Sequence, residues 1–212
     1  MTDTQKKPLW KNELVWLFLL TSGLFAILYS KFILGGYAYV FTDTGADTMQ
    51  INYAQYGLFS SLFRSGESGY VLQAGLGMDV SSYYPAYLIP YNLLILLAPQ
   101  RLLPWAVLAS AYLKMITISL VGYLFYRKLM QDGIGTMAAA LAWTFSGYVI
   151  LWGQHYGFCT CMALFTVFMY FLQCYLNGEQ RWKSAGLVLT VTMLLISSYY
   201  FLYMIAFFAV FY

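Results

Sequence analysis

The sequence predicts an all-α protein, a polytopic bundle of transmembrane helices whose long first extracellular loop carries short interfacial helices. Of its 212 residues, 61% are hydrophobic and 9% are charged, whereas a soluble domain carries about 25% charged residues. Several apolar runs approach the roughly 20 residues that a helix needs to cross a bilayer. Aromatic residues make up 20% of the chain, and many stand near the ends of these runs, as in the aromatic belts of membrane proteins.

Five apolar runs predict five spans. The first, residues 14–34, is longer than the roughly 7–15 residues of a signal-peptide core and lacks an Ala-x-Ala site, so we expect it to stay uncleaved. The others cover residues 105–126, 136–153, 158–176 and 185–207. The last run has no charged flank after it. We therefore expect residues 1–212 to be the N-terminal part of one transmembrane domain within a longer polypeptide.

The distribution of Lys and Arg predicts the orientation. Seven basic residues flank the predicted spans on one side: Lys6, Lys7, Lys11, Arg127, Lys128, Arg181 and Lys183. Only three lie on the other side: Lys31, Arg64 and Arg101. Because basic flanks stay inside, we expect a multi-pass protein with a cytoplasmic N-terminus and an outer loop over residues 35–104. No basic stripe is long enough for a nucleic-acid partner.

The outer loop is too long for a simple turn. Within it, Tyr53–Phe63 has apolar residues at helical spacing, namely Tyr56, Phe59 and Phe63. Leu88–Ala98 is apolar but too short to cross a membrane. We predict that both segments form short helices at the interface.

Two aspartates follow the first span in the segment FTDTGADTMQINYAQY, where Gly45 allows a turn between Asp43 and Asp47. A carboxylate just above the bilayer can act as general base for a hydroxyl nucleophile, or bind a divalent cation that steadies a phosphate. It can also be a solvated loop residue or a helix N-cap, since Asp47 precedes a predicted helix. The residues alone leave these interpretations open.

Lys114 lies near the middle of the second predicted span. A charge there costs at least about 2.5 kcal/mol, so such residues usually face a cavity or a partner. Ser110, Lys114 and Thr117 share one helix face, and this polar stripe can meet the phosphate of a lipid carrier. The alternatives are pairing with a buried acid and a side chain that extends to the interface.

The only histidine, His155, lies in the turn WGQHYGF, which the topology places on the same side as the Asp47 loop. It is a candidate acid, ligand or substrate contact, or else an ordinary loop residue. Cys159, Cys161 and Cys174 share one apolar run without a second ligand cluster, which favours small buried residues over a metal site. The stretch Ser197–Tyr200 either lines a cavity or bonds between helices. No nucleotide-binding motif occurs, which is compatible with a lipid-linked substrate.

Several segments resemble, in order, the bacterial YfhO-like membrane proteins. They are GADTMQINYAQY in the outer loop, AGLGMDVSSYYPAYLIPYNLLILL after it, the second span with Lys114, AWTFSGYVI in the third span and SSYYFLYMIAFF in the fifth. Each motif alone is loose, but the ordered set covers most of the chain.

This resemblance implies a large membrane enzyme of the GT-C glycosyltransferase type. Such enzymes take a sugar from a polyprenyl-phosphate carrier and pass it to a cell-envelope glycan, such as lipoteichoic acid, at the outer face of the bacterial cell membrane. A catalytic Asp in the first outer loop recurs in that fold. Asp47 is the matching position, with Asp43 as the nearby alternative. A Gln-Tyr pair is expected soon after the Asp, where this chain has Met49–Asn52, and Gln55-Tyr56 can fill that role.

The resemblance therefore predicts Asp47 as the catalytic residue. The predicted substrate-binding residues are Asp43, Gln50, Lys114 and His155, and a divalent cation is a candidate cofactor. The expected partners are membrane lipid, the polyprenyl-phosphate sugar donor and a cell-surface glycan acceptor. The alternative function is a non-catalytic transporter or flippase for an envelope precursor, in which Lys114 gates a polar substrate. A third alternative is a purely structural subunit, which accounts poorly for the long outer loop.

Overall fold

The computed structural model describes residues 12–41, 47–67, 69–72, 77–81, 83–130, 132–179 and 181–212. These residues are mostly helical, which confirms the predicted all-α bundle. The strands found among them, β1 (Tyr70–Val71) and β2 (Met78–Asp79), form one antiparallel ribbon in the outer loop. Three of the described helical stretches are long and apolar enough to cross a membrane: Gln100–Leu129, Gly133–Trp152 and Tyr156–Leu176. They correspond to the second, third and fourth predicted spans, while the count of five stays a prediction.

The first apolar run forms two helices, α1 (Glu13–Leu28) and α2 (Ser30–Leu34). The side chain of Asn12 accepts a hydrogen bond from the backbone N–H of Leu14 and caps α1. The backbone leaves the helical conformation at Tyr29, where φ is −101° and ψ is 17°. The run is therefore helical as predicted, but it is not a single straight helix.

Two other predicted runs are also interrupted. The third forms α7 (Gly133–Thr144) and α8 (Gly147–Trp152). The fifth forms α10 (Arg181–Ser197) and α11 (Tyr199–Phe211), which meet at an extended Ser198. Apolar composition does not reveal such breaks, because the residues on both sides of each break are helical and mostly apolar.

Two long helices form the centre of the bundle, α6 (Leu103–Leu129) and α9 (Tyr156–Leu176). α6 packs against α9, α7 and α1. The main core cluster includes Val107, Met115 and Ile118 of α6 together with Ala163 of α9. Polar side chains also bond between helices, as with Thr21 of α1 and Ser119 of α6 at 2.7 Å. Close packing with occasional hydrogen bonds is how helices associate in lipid.

The outer loop folds into a small structure of its own. A π-helical segment, Thr48–Tyr53, continues directly into α3 (Ala54–Ser65), and Gly66 ends α3 in the left-handed conformation at φ 73°. α4 (Tyr84–Tyr87) and α5 (Pro90–Leu97) follow, and a 3-10 turn, Gln100–Leu102, leads into α6. Both predicted loop helices are confirmed as helices, and their placement at the interface stays a prediction.

The buried face of α3 differs in one position from the predicted one. Tyr56 and Phe59 are buried as expected, but Phe63 is 37% exposed and Leu62 is buried instead. Leu62 and Phe59 pack against Val71 and Val80 of the ribbon region and Leu96 of α5. The ribbon therefore gives α3 a second contact surface, which helical periodicity in the sequence does not show.

Charged side chains gather at the opposite end of the bundle. Arg127 contacts Glu13 at 3.3 Å, and Glu179 pairs with both Lys128 and Lys183. These contacts place the predicted basic flanks of α6 and α10 at one end. Lys6, Lys7 and Lys11 lie outside the described residues. The side of the membrane that this end faces stays a prediction.

Candidate functional site

A polar cavity of about 190 Å³ lies where the outer loop meets the beginning of α9 and the end of α10. Amide, hydroxyl and aromatic groups dominate its lining, which comprises Asn52, Gln55, Tyr56, Tyr83, Ala86, Tyr87, Asn92, Gly157, Thr160 and Ser197. None of these lining residues carries a formal charge. Several polar groups converge on this cavity, which makes it a candidate ligand site, and its volume is below the roughly 300–1,000 Å³ of a typical small-molecule pocket.

Hydrogen bonds between loop helices fix the polar groups of this cavity. Tyr56 donates to Oδ1 of Asn92 at 3.3 Å, and the Asn92 amide nitrogen donates to the Ala86 carbonyl at 3.2 Å. Tyr87 donates to Oε1 of Gln55 at 3.3 Å. Burial raises the pKa of Tyr56 and of Tyr87, so both phenols stay protonated at neutral pH and serve as donors.

Aromatic stacking joins the loop to the bundle at the same place. The ring of Tyr56 stacks on Tyr156, with centroids 5.3 Å apart and planes 13° apart. The Tyr156 hydroxyl donates to the Tyr39 carbonyl, which ties the first turn of α9 to the segment after α2. The stack thus joins Tyr56, which lines the cavity, to the first turn of α9 in the helix bundle.

Lys114 lies inside the bundle, only 2% exposed, and its ammonium donates to the Tyr156 carbonyl at 3.1 Å. The Thr160 hydroxyl, which lines the cavity, donates to the same carbonyl at 3.1 Å. The side chain therefore does not extend to the protein surface. Its ammonium is joined to the cavity lining through the Tyr156 carbonyl, which it shares with Thr160. Among the described residues, Lys114 forms no ion pair with a carboxylate.

The polar stripe predicted around Lys114 divides into three environments. Ser110 is buried, and its hydroxyl has no hydrogen-bond partner in the part of the chain that the structure describes. Thr117 donates to its own helix, at the Leu113 carbonyl, and faces a different, apolar cavity. Of the three, only Lys114 shares a hydrogen-bond partner, the Tyr156 carbonyl, with a residue that lines the polar cavity.

Asp47 is half-buried at the start of the π-helical segment. It stands at the N-cap position of this segment, but its backbone is already helical and its side chain makes no capping hydrogen bond there. The Asn52 side chain, which lines the cavity, donates to the Asp47 carbonyl at 3.3 Å. The neighbouring Thr48 is fully buried and donates to the Gln154 carbonyl at 3.3 Å. The backbone of Asp47 is thus tied to the cavity lining through Asn52, and its neighbour Thr48 is tied to the turn that carries His155.

His155 occupies the N-cap position of α9, immediately before Tyr156. Its ring packs against Trp152 and Phe158, with centroids 5.6 Å and 5.3 Å away. The backbone N–H of Phe158 bonds to the His155 carbonyl at 2.8 Å. His155 therefore lies two residues from Gly157 of the cavity lining, at the same end of the bundle as Asp47.

The other predicted residues are less closely connected to the cavity. Gln50 is exposed and does not line it. Asp43 lies outside the described residues. The three cysteines are buried and unpaired, and the described residues contain no cluster of three or more His, Cys, Asp or Glu side chains that could hold a metal ion.

Sequence analysis missed most of the cavity lining. Asn92 carries a detectable signal, because it is an amide within the otherwise apolar segment PYNLLILL. Gln55-Tyr56 emerged only through the family resemblance, and Ser197 as one alternative for the serine pair of the fifth run. Tyr83 and Tyr87 lie in a segment that carries the family resemblance but were not singled out, and Thr160 has no such signal, since threonine is common throughout this chain.

Comparison with known proteins places the chain in a described family. The family model "Bacterial membrane protein YfhO" matches residues 17–212. No curated protein and no solved structure matches the chain.

Proposed function

The chain belongs to the YfhO family of bacterial membrane proteins, and on this premise we propose that it acts as an integral membrane glycosyltransferase of the GT-C type. It moves a sugar from a polyprenyl-phosphate carrier to a cell-envelope glycan, such as lipoteichoic acid, at the outer face of the membrane. One observation carries the proposal. The uncharged polar cavity has three candidate residues that are joined to its lining by backbone hydrogen bonds or by closeness in the chain, namely Asp47, Lys114 and His155.

Asp47 is the general base in this proposal. Its carboxylate accepts the proton of the acceptor hydroxyl, and the hydroxyl oxygen forms a bond to the anomeric carbon of the sugar. The bond between that carbon and the phosphate oxygen breaks, and the electron pair leaves with the polyprenyl phosphate. A single displacement of this kind inverts the anomeric configuration. A divalent cation is the candidate cofactor at the phosphate, and Asp47 and Asp43 are the candidate carboxylates that would hold it.

Lys114 supplies positive charge where the phosphate acquires negative charge. In a buried environment such a charge has a larger effect than at a surface, because little water screens it. The ammonium acts from behind Thr160 and Tyr156, so it stabilises the leaving group without lining the cavity. His155, at the rim, is the second candidate to stabilise the phosphate, and Gln50 and Asp43 are candidates to contact the acceptor.

One feature of the structure favours a second candidate function, that of a transporter or flippase for an envelope precursor. Transporters often bind substrate beside interrupted helices, and here the apolar runs are interrupted between α1 and α2, between α7 and α8, and between α10 and α11. In such a protein Lys114 would gate a polar substrate. The catalytic proposal also gives a role to Asp47, which is half-buried and whose backbone carbonyl is bonded by Asn52 of the cavity lining.

The test replaces Asp47 with Asn in the full-length protein, in its bacterial host. We expect one sugar decoration of the surface glycan to disappear while the polyprenyl-phosphate sugar accumulates. Asp79→Asn is the matched control, because Asp79 lies exposed on the loop ribbon and bonds to Ser81, away from the cavity. Unchanged glycans at equal membrane levels would remove Asp47 as the base. Loss of the decoration without accumulation of the donor at the outer face would favour the transporter.

A further inference from the structure

The last apolar run does not continue in one direction. A single residue, Ser198, separates α10 from α11, and its backbone is extended, with φ −167° and ψ 108°. The N–H of Ser198 donates to the Leu194 carbonyl at 2.8 Å, and the N–H of Leu202 donates to the Ser198 carbonyl at 3.0 Å. Both helices are therefore regular up to this residue, and the change of direction occurs at Ser198.

α10 runs antiparallel to α9. Near the start of α10, the ammonium of Lys183 lies 5.9 Å from the centroid of the Tyr170 ring. At the end of α10, the hydroxyl of Ser197 lies 3.8 Å from the thiol of Cys161. Residue numbers thus rise along α10 while they fall along α9. α10 therefore leads from the charged end of the bundle to the polar cavity, which Ser197 lines.

α11 runs in the opposite direction, parallel to α9. Near the start of α11, the centroid of the Phe201 ring lies 5.1 Å from that of Phe158. Further along both helices, the rings of Phe208 and Phe165 lie 5.7 Å apart. Residue numbers therefore rise together along α11 and α9.

The end of α11 lies close to the charged end of the bundle. The hydroxyl of Tyr212 donates to Oε1 of Gln173 at 2.6 Å, and Gln173 belongs to the last turn of α9. Glu179, which pairs with two lysines, follows α9 shortly afterwards. α10 and α11 thus form a hairpin with Ser198 at its tip.

The lengths of the two helices fit a hairpin inside a bilayer. At 1.5 Å per residue, the 17 residues of α10 extend about 26 Å and the 13 residues of α11 about 20 Å. One straight helix over residues 181–211 would be about 46 Å long, well beyond the roughly 30 Å of the hydrocarbon core. α11 lies beside α9, which is long and apolar enough to cross a membrane, so both helices lie at the same depth.

The aromatic residues of α11 follow the pattern of a helix between two interfaces. Tyr199 and Tyr200 stand at its start and Tyr212 follows its end, whereas Phe207 and Phe208 lie between them. Tyrosine is enriched where a membrane helix meets water, because its ring is apolar and its hydroxyl is polar.

We infer that the last apolar run is a helical hairpin embedded in the membrane, rather than the single span predicted over residues 185–207. Its tip lies beside the polar cavity, and Tyr212 lies on the same side of the membrane as Arg181. The reversal brings Ser197, from the middle of an apolar run, into the polar lining, where α4 of the outer loop packs against α10. The inference is independent of the proposed function, because it concerns only the direction of the chain.

The first test labels single cysteines in the full-length protein with a negatively charged, membrane-impermeant maleimide, applied to sealed vesicles of each orientation. The variants are Arg181→Cys, Tyr199→Cys and Tyr212→Cys, all at exposed positions, in a parent whose native cysteines are replaced with alanine. We expect Arg181→Cys and Tyr212→Cys to react more than about 10-fold faster from one face, and Tyr199→Cys from the other, because hydrocarbon excludes the charged reagent.

The second test joins α11 to α9 with a short bifunctional thiol reagent in native membranes. Phe165→Cys combined with Phe208→Cys should cross-link, because these side chains are in contact. Phe158→Cys combined with Phe208→Cys is the matched control and should not, since Phe158 contacts Phe201 instead. All variants are compared at equal membrane levels. The cross-links establish the direction of α11 without depending on whether a cysteine at its end can be labelled.

Two results would overturn the inference. Labelling of Arg181→Cys and Tyr212→Cys from opposite faces would show one span instead of a hairpin. Cross-linking of the control pair as efficiently as the Phe165–Phe208 pair, or of neither pair, would show that α11 does not return along α9. Transfer activity plays no part in either readout, so the proposed function stands or fails separately.

Discussion

The lysines at the two ends of the bundle differ in how their charge is balanced. Lys128 and Lys183 share the carboxylate of Glu179, between the end of α9 and the start of α10. Lys114 is almost fully buried, and its ammonium donates to the backbone carbonyl of Tyr156 rather than to a carboxylate. A paired charge at a helix end adds stability, whereas a buried charge without a carboxylate costs stability. If Lys114 acts as proposed, neutralising it should reduce transfer without lowering stability, whereas neutralising Glu179 should lower stability without reducing transfer.

Neutralising Lys114 should have the largest effect on activity. Lys114→Met removes the buried charge while keeping an unbranched side chain, so transfer should fall by on the order of 10²-fold to 10³-fold, as when one electrostatic donor is lost from an active site. The thermal midpoint should stay the same or rise, since a desolvated charge has been removed. Both quantities can be measured on purified full-length protein. A lower midpoint with unchanged transfer would assign Lys114 a structural role.

The Tyr56 hydroxyl should contribute less. Tyr56→Phe keeps the stack on Tyr156 and removes the bond to Asn92. The Asn92 amide then rotates more freely, and transfer should fall by roughly 5-fold to 10-fold, which corresponds to about one hydrogen bond. Tyr203→Phe, at a 75% exposed position on α11, is the control and should match the wild type. Equal activities of Tyr56→Phe and wild type would show that the Tyr56 hydroxyl, and with it this part of the cavity, does not contribute to transfer.

Thr48 should have a smaller effect that is confined to substrate binding. Thr48→Val keeps the shape of a fully buried side chain and removes its bond to the Gln154 carbonyl. The segment that carries Asp47 then loses a hydrogen bond to the turn that carries His155. We expect KM for the donor to rise by about 3-fold with kcat nearly unchanged, as when a positioning contact is weakened. A loss confined to kcat would show that the contact acts in the chemical step.

The charged end should affect stability and leave transfer unchanged. Hydrogen bonds from Lys128 and then Lys183 lower the pKa of Glu179 to about 2. The folded value is below the unfolded one, so the stabilisation is present above an unfolded pKa of about 4.5 and is lost as pH falls through about 2. Glu179→Gln should lower the thermal midpoint slightly at pH 7, and the difference from wild type should shrink over that acidic range. A loss of transfer at pH 7 would contradict the contrast between the two ends.

The sequence predicts the bundle well because lipid imposes long apolar runs on any helix that crosses it. It also predicts Asp47 and His155 on one side, because the topology assigns each loop to a side, and it predicts Lys114 near the middle of a span. The breaks at Tyr29 and Ser198 escape such analysis, since they depend on how neighbouring helices pack rather than on local composition.

The cavity itself was much less predictable. Asn52, Tyr87 and Thr160 come from three segments that are distant in the sequence, and tyrosine and threonine carry no distinctive pattern here. The role of Lys114 was predicted as direct neutralisation of the phosphate. In the structure its ammonium donates to the Tyr156 carbonyl, and Lys114 does not line the polar cavity. That partner is a backbone group, which no sequence motif can identify.

The most direct test of the account is a double-mutant cycle between Asp47→Asn and Lys114→Met, measured as single-turnover transfer of the sugar from its polyprenyl-phosphate carrier to the acceptor glycan by full-length protein. If the carboxylate and the ammonium serve one step at one cavity, their effects are coupled, and the double variant should be little slower than the more impaired single variant. Losses that simply multiply would contradict the account, because they would mean that the two residues act independently.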